Sequence, residues 1–188
     1  AKISKKLSNK DCFLCITCNL DEGLDLNDME YMDILIFQLE RLFEEIQERN
    51  ISLDEGILTS LYEWFGERVE EVNKVIKKEG GFEVEVKAET PSLFSFLGIA
   101  AKLKANIAGS KENAEKIRTT FKNNFTTLAL KFNEFIEHVN ILLRREGIAQ
   151  EILFIVDGLE KVATRDIRKK LVLDEANRIR QIKANTIF

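Results

Sequence analysis

EILFIVDGLEK, Glu151 to Lys161, is the stretch on which the reading of this chain turns. Five apolar residues, Ile152 to Val156, run without interruption into Asp157 and Gly158, and Glu160 follows. A run this short and this apolar predicts a strand buried on both faces, as in a parallel sheet covered by helices. A carboxylate at its carboxyl end has two explanations. Asp-Gly commonly makes a turn. Alternatively, ligands of open α/β sheets bind beyond the carboxyl ends of the strands, where an acid can act on them.

A second run of the same kind, CFLCITC over residues 12–18, predicts a partner strand. Its cysteines, Cys12, Cys15 and Cys18, have a spacing that suggests a metal or redox site. Alternation along a strand turns Cys15 away from the other two, so they cannot converge on one ion. His138 stands on a distant helical stretch and supplies no clear fourth ligand. Small buried hydrophobes in a reducing compartment are the expected role.

Most of the remaining sequence has helical periodicity. Asn27 or Asp28 is the expected cap of a helix whose core side runs through Met32, Leu35, Ile36, Leu39, Leu42, Phe43 and Ile46, with Glu30 or a neighbour closing a capping box. The acidic loop before it, DEGLDLNDMEY, lacks the ligand positions and the glycine of an EF-hand, which argues against calcium. A second helix is predicted from about Asp54 to Lys78, using Leu58, Leu61, Tyr62, Phe65, Val69, Val72 and Ile76. Gly80 and Gly81 stop it, FEVEVKAE alternates as a short strand or extended edge, and a short helix follows Pro91.

Ser110 then caps what reads as one long helix, residues 110–146. Ile117, Phe121, Phe125, Leu128, Phe132, Phe135, Val139 and Leu142 recur along it at three and four residues. That stripe is expected to be a packing seam, and self-association or a protein partner through the helix stays open. Residues 161–185 are expected to be helical in two pieces broken near Asp174, and NTIF begins a further strand. AKISKKL reads as the end of a helix, so both ends are expected to lie inside structure.

Composition narrows the classes. The chain has 188 residues, 45% hydrophobic and 32% charged, with a net charge of −4 and a single proline. Mild acidity disfavours nonspecific nucleic-acid binding by the whole surface. The basic group Arg165, Arg168, Lys169 and Lys170 lacks interleaved aromatics and is expected to be a solvated helix face. The same expectation covers Arg118, Arg144 and Arg145, with phosphate or partner contact as the alternative. No apolar run reaches the roughly 18–20 residues that span a bilayer. A soluble cytoplasmic protein is expected.

With these elements in place, EILFIVDGLEK resembles the Walker B segment of AAA+-like and STAND-type bacterial P-loop ATPases. There a hydrophobic strand ends in an acid, a small residue, leucine and a second acid. CFLCITCNLDEGLDLNDMEYMDILI resembles the strand after the P-loop helix with its acidic loop and next helix, and LVLDEANRIRQIKANTIF resembles the helix leading to the sensor strand. The resemblance implies that Asp157 is the magnesium-site acid and Glu160 the water-activating catalytic acid. Asn185 and Thr186 would lie just before the sensor strand. It also implies Mg²⁺ and ATP as cofactors of the intact parent.

No G-x-x-x-x-G-K-[ST] occurs in the chain, so the backbone cradle and the phosphate lysine are missing. The chain alone is therefore expected to bind neither cofactor and to show little activity. The expected fold is α/β and predominantly helical, with a small parallel P-loop-type sheet and a large helical insertion. Its divisions are residues 1–50 as partial core, 51–147 as insertion, and 148–188 as the Walker B strand with its helices. The function this implies is a fragment of an ATP-dependent regulatory or switch ATPase. The alternative is a nonenzymatic helical interaction scaffold.

Overall fold

A computed structural model describes residues 12–77, 92–162 and 164–188. The helix end at AKISKKL, the Gly80-Gly81 stop and the FEVEVKAE strand lie outside the described residues, as does the side chain of Ile76. The two apolar runs are strands β1 (Phe13–Asn19) and β2 (Glu151–Asp157), parallel and in register from Phe13 opposite Glu151 to Asn19 opposite Asp157. The short strand β3 (Asn185–Ile187) pairs parallel with β2, placing Leu153 opposite Asn185 and Ile155 opposite Ile187. The order is β1-β2-β3, so the strand ending in Asp157 is central.

Between β1 and β2 lie a single turn, α1 (Leu20–Gly23), and the helices α2 (Tyr31–Glu48), α3 (Glu55–Lys77), α4 (Leu93–Gly109), α5 (Lys111–Asn123) and α6 (Phe125–Arg145). After β2 come a 3₁₀ turn (Leu159–Lys161), α7 (Arg165–Lys169), a π turn (Lys170–Asp174) and α8 (Ala176–Ile179). The fold is thus mostly helical around a small parallel sheet, with an extensive helical insertion between the first two strands.

One face of the sheet is fully buried: Leu14, Ile16 and Cys18 from β1 beside Ile152, Phe154 and Val156 from β2. The helix α2 lies against β1 and α6 against β2, with Phe132 6.4 Å from Phe154 between ring centres. On the opposite face Phe13, Cys15, Thr17 and Ile155 are half-buried and Leu153 is buried. The alternation turns Cys15 away from Cys18 as expected, but Cys12 lies ahead of β1, and of the three only Cys18 is the buried hydrophobe the sequence predicts. Cys18 is buried, Cys15 half-buried and Cys12 exposed. Burial pushes the Cys18 thiol up to about 12, and Arg41 offsets this only in part. Since the thiolate is the reactive form, a thiol reagent at neutral pH should label Cys12 first and Cys18 only on unfolding. Mass spectrometry of the labelled peptides checks the order.

Three boundaries differ from the sequence expectation, the first being that the last helix ends at Ile179, short of residue 185. The cap of α2 is Glu30, not Asn27 or Asp28, and its backbone N–H donates to Asp33 Oδ2 at 2.9 Å. The box is built from two acids, so a search for Ser, Thr, Asn or Asp at its first position lands too early. Residues 110–146 are two helices, separated at Asn124. The Asn124 side chain donates to Thr120 O at 2.9 Å and accepts from Arg68 of α3 at 2.9 Å. An asparagine bonded back onto the preceding turn competes with helix continuation. The apolar stripe passes through the break, and Phe121 and Phe125 on either side are both buried.

Candidate functional site

The carboxyl ends of β1 and β2 bring Asn19 and Asp157 side by side. Asp157 is exposed, and its Oδ1 accepts the N–H of Gly158 at 3.0 Å. Gly158 has φ +97°, a backbone state L side chains rarely adopt, which turns the chain sharply away from the strand tip. A Cβ there would also lie 3.7 Å from Leu20. Leu159, half-buried, packs against the core, while Glu160 in the following turn is exposed. Asp157 and Glu160 thus stand on one short, glycine-hinged corner beside α1.

The corner has a lysine that sequence reasoning missed. Lys161 Nζ pairs with Asp21, 140 residues earlier, across the mouth between the two strands. Its hydrogen bond holds the Asp21 carboxyl below the usual carboxylate range, and the same bond raises Lys161. Asn19 Nδ2 donates to Glu22 at 3.0 Å on the same side. Nothing local signals the Lys161–Asp21 pair, because the parallel register creates it. Five polar groups therefore ring the strand tips: Asn19, Asp21, Glu22, Asp157 and Glu160, with Lys161 the neighbouring cation.

Other candidates lie elsewhere. Asn185 and Thr186 are in β3 itself and not ahead of it. Asn185 is level with Leu153, well below the strand tips, and its amide donates to Glu151 at 2.7 Å. Arg144 bonds Glu137 at 3.0 Å, and Arg145 is exposed near Glu146. Arg165, Arg168 and Lys169 are exposed, as expected for a solvated face, whereas Lys170 is half-exposed and pairs with Glu30. Arg118 is not on a solvated face: it is buried, with its guanidinium on Asp33 and Asp28. His138 accepts a long bond from the Asp54 N–H at 3.4 Å.

No protein-family model, curated protein or solved structure matches this chain. The architecture alone, a parallel sheet with a large helical insertion, is consistent with a generic P-loop-like α/β fold. Among the described residues no group of three or more His, Cys, Asp or Glu is arranged to hold a metal ion. Nor is any helix of those residues long and apolar enough to cross a membrane.

The donor set at the strand tips suits a hard cation held through water. Mg²⁺ keeps several waters and takes one or two carboxylates plus substrate phosphates, so a dedicated protein cage is not needed. An exposed Asp157 beside Asn19 meets that requirement in oxygen chemistry. It does not supply the phosphate cradle.

Proposed function

We propose that the chain is part of an ATP-dependent regulatory or switch ATPase of AAA+-like or STAND type, acting in the cytoplasm. Asp157 would be the acid that receives the waters of Mg²⁺, and Glu160 the acid that orients a water for attack. The observation that carries this reading is the position of Asp157. It ends the central strand of a parallel sheet, exposed, on a glycine corner, where open α/β sheets bind ligands.

When bound, Mg²⁺ would neutralise charge on the phosphates, the main demand of phosphoryl transfer. This chain's residues would do the rest by position. Gly158 N–H fixes one oxygen of Asp157, and the Lys161–Asp21 pair ties the corner to α1. Glu160, three residues on, faces solvent beside that corner. The phosphate cradle and its lysine have to come from residues beyond this sequence, so the chain alone should bind neither Mg²⁺ nor ATP tightly.

Calorimetry tests this with Mg²⁺-ATP on the chain and on a version extended upstream in the parent gene to include any phosphate-binding loop. The extended form should bind, and Asp157→Ala should weaken Mg²⁺-dependent binding by about 10–100-fold, the usual cost of losing an outer-shell metal partner. Absence of binding by both forms would return Asp157 to the role of a turn residue. The second reading, a nonenzymatic interaction scaffold, is favoured by one observation. Leu130 and Ile141, three turns apart on α6, are 59% and 50% exposed. A protein partner or second copy seated there would protect both.

A further inference from the structure

Glu30 is the cap of α2 and is buried, yet both of its carboxylate oxygens carry lysines from remote elements. Lys122 of α5 pairs with Oε2, and Lys170 of the π turn after β2 pairs with Oε1. Burial works to raise the carboxyl, and the two ammonium groups override it and hold it below the usual range. Three parts of the chain therefore meet on one charge: the start of α2, the end of α5, and the segment downstream of Asp157.

That downstream segment is thinly anchored. The helix α7 buries none of its residues. From Gly158 to Lys170, Val162 is the one large apolar side chain fully buried among the described residues, with Leu171 buried just after. Leu159 and Ile167 pack half-buried against the core, and among the described residues two ionic ties supplement these anchors, Lys161 on Asp21 and Lys170 on Glu30. Lys170 is half-exposed, and a polar cleft of about 350 Å³, lined by Asp28, Lys111, Glu115 and Thr119 among others, opens beside it. The lysine has room to leave. Segments with few buried apolar contacts open at low free-energy cost, and π turns are frequent where a helix serves a function.

We propose that Glu30 is a shared latch through which the position of the segment after β2 is passed to the helical insertion, Lys170 being its movable arm. Withdrawal of Lys170 leaves a buried carboxylate with one cation in place of two. Its hold on Lys122 then competes with hydration of the exposed oxygen, and both the first turn of α2 and α5 loosen. The latch is independent of whether Asp157 serves a metal, since none of its members touches that corner.

Hydrogen exchange read by mass spectrometry on the full chain tests it. In Lys170→Met, exchange should rise about threefold or more in peptides covering residues 30–36 and 111–123, as well as in 165–174. Lys161→Met, which cuts the other tie, should speed exchange only around residues 19–23 and 158–162. Lys170→Arg keeps the charge and should restore the wild-type pattern. A rise in Lys170→Met confined to residues 165–174 would overturn the proposal, and so would an equal rise across α3 and α6, which reports general loss of stability.

Discussion

Replacing Arg118 with Met is expected to destabilise the chain by about 3–5 kcal/mol, the cost of leaving one member of a buried ion pair without its partner. At an m-value of about 2 kcal/mol per M, the urea midpoint should fall by about 2 M. Arg118 Nε lies 3.1 and 3.0 Å from the two oxygens of Asp33, and the guanidinium also donates to the Asp28 carbonyl at 2.7 Å and its carboxylate at 3.2 Å. Asp33 is 2% exposed. Burial pushes its carboxyl up, and Arg118 draws it back only in part.

The direction gives the variant a pH signature. Without Arg118 the folded carboxyl takes a proton more readily than the unfolded one. The folded state then binds more protons, so stability falls as pH rises from the ordinary carboxylate range toward neutrality. The deficit of Arg118→Met against the wild type should therefore be largest near pH 7 and shrink toward pH 4. Arg145→Met makes the same chemical change at a side chain 67% exposed, and it should stay within about 0.5 kcal/mol. Equal effects of the two substitutions would mean that the Asp33 pair contributes nothing particular.

Arg118 also marks where the sequence stops being readable. The strands were legible because an unbroken apolar run has few uses other than a covered parallel strand. The helices were legible because Leu35, Leu39, Leu42 and Ile46, like Leu61, Phe65 and Val69, repeat at helical spacing. Their partners were not. Asp33 is bonded to a residue 85 positions away, and Lys161 to one 140 positions away, so no local pattern encodes either pair. The usual behaviour of helical arginines puts Arg118 on a solvated face, but the face it stands on is covered by the loop carrying Asp28.

The break at Asn124 was hidden for another reason. Phe121 and Phe125 are four residues apart, so the stripe continues across the interruption with unchanged spacing. Asn124 itself looks like any polar residue on a helix until Arg68 of α3 is placed against it. At the candidate site the acid at a strand tip was legible, since Asp157 follows directly from its run. Its surroundings were not, because Asn19 and Asp21 join it only through the parallel register, which also sets Asp21 against Lys161.

The second large effect is expected at Phe43, whose replacement by Ala should cost about 3–5 kcal/mol. Phe43 is fully buried in α2, its ring 4.4 Å from Phe96 of α4 in a stacked arrangement and 5.0 Å from Phe135 of α6. Phe96 in turn meets Phe65 of α3 at 5.1 Å, and Phe65 meets Phe121 of α5 at 5.6 Å. One ring thus starts a chain of contacts through every long helix of the insertion. Truncation leaves a void that Phe96 and Phe135 cannot both fill, since each is fixed by further rings. The double variant Phe43→Ala/Phe96→Ala should accordingly cost less than the sum of the singles, the second truncation losing contacts the first has already removed. Phe94→Ala, on the same helix as Phe96 but 71% exposed, should change stability by less than about 0.5 kcal/mol. Trp64, buried and edge-on to Phe121 at 5.8 Å, reports the insertion by fluorescence, while circular dichroism reports all the helices. Because Phe43 stands on the helix that covers β1, its loss should lower both transitions together. A fall in the fluorescence transition alone would mean that the insertion's ring cluster holds only itself, and that α2 is kept on the sheet by Leu14, Ile16 and Cys18 without it.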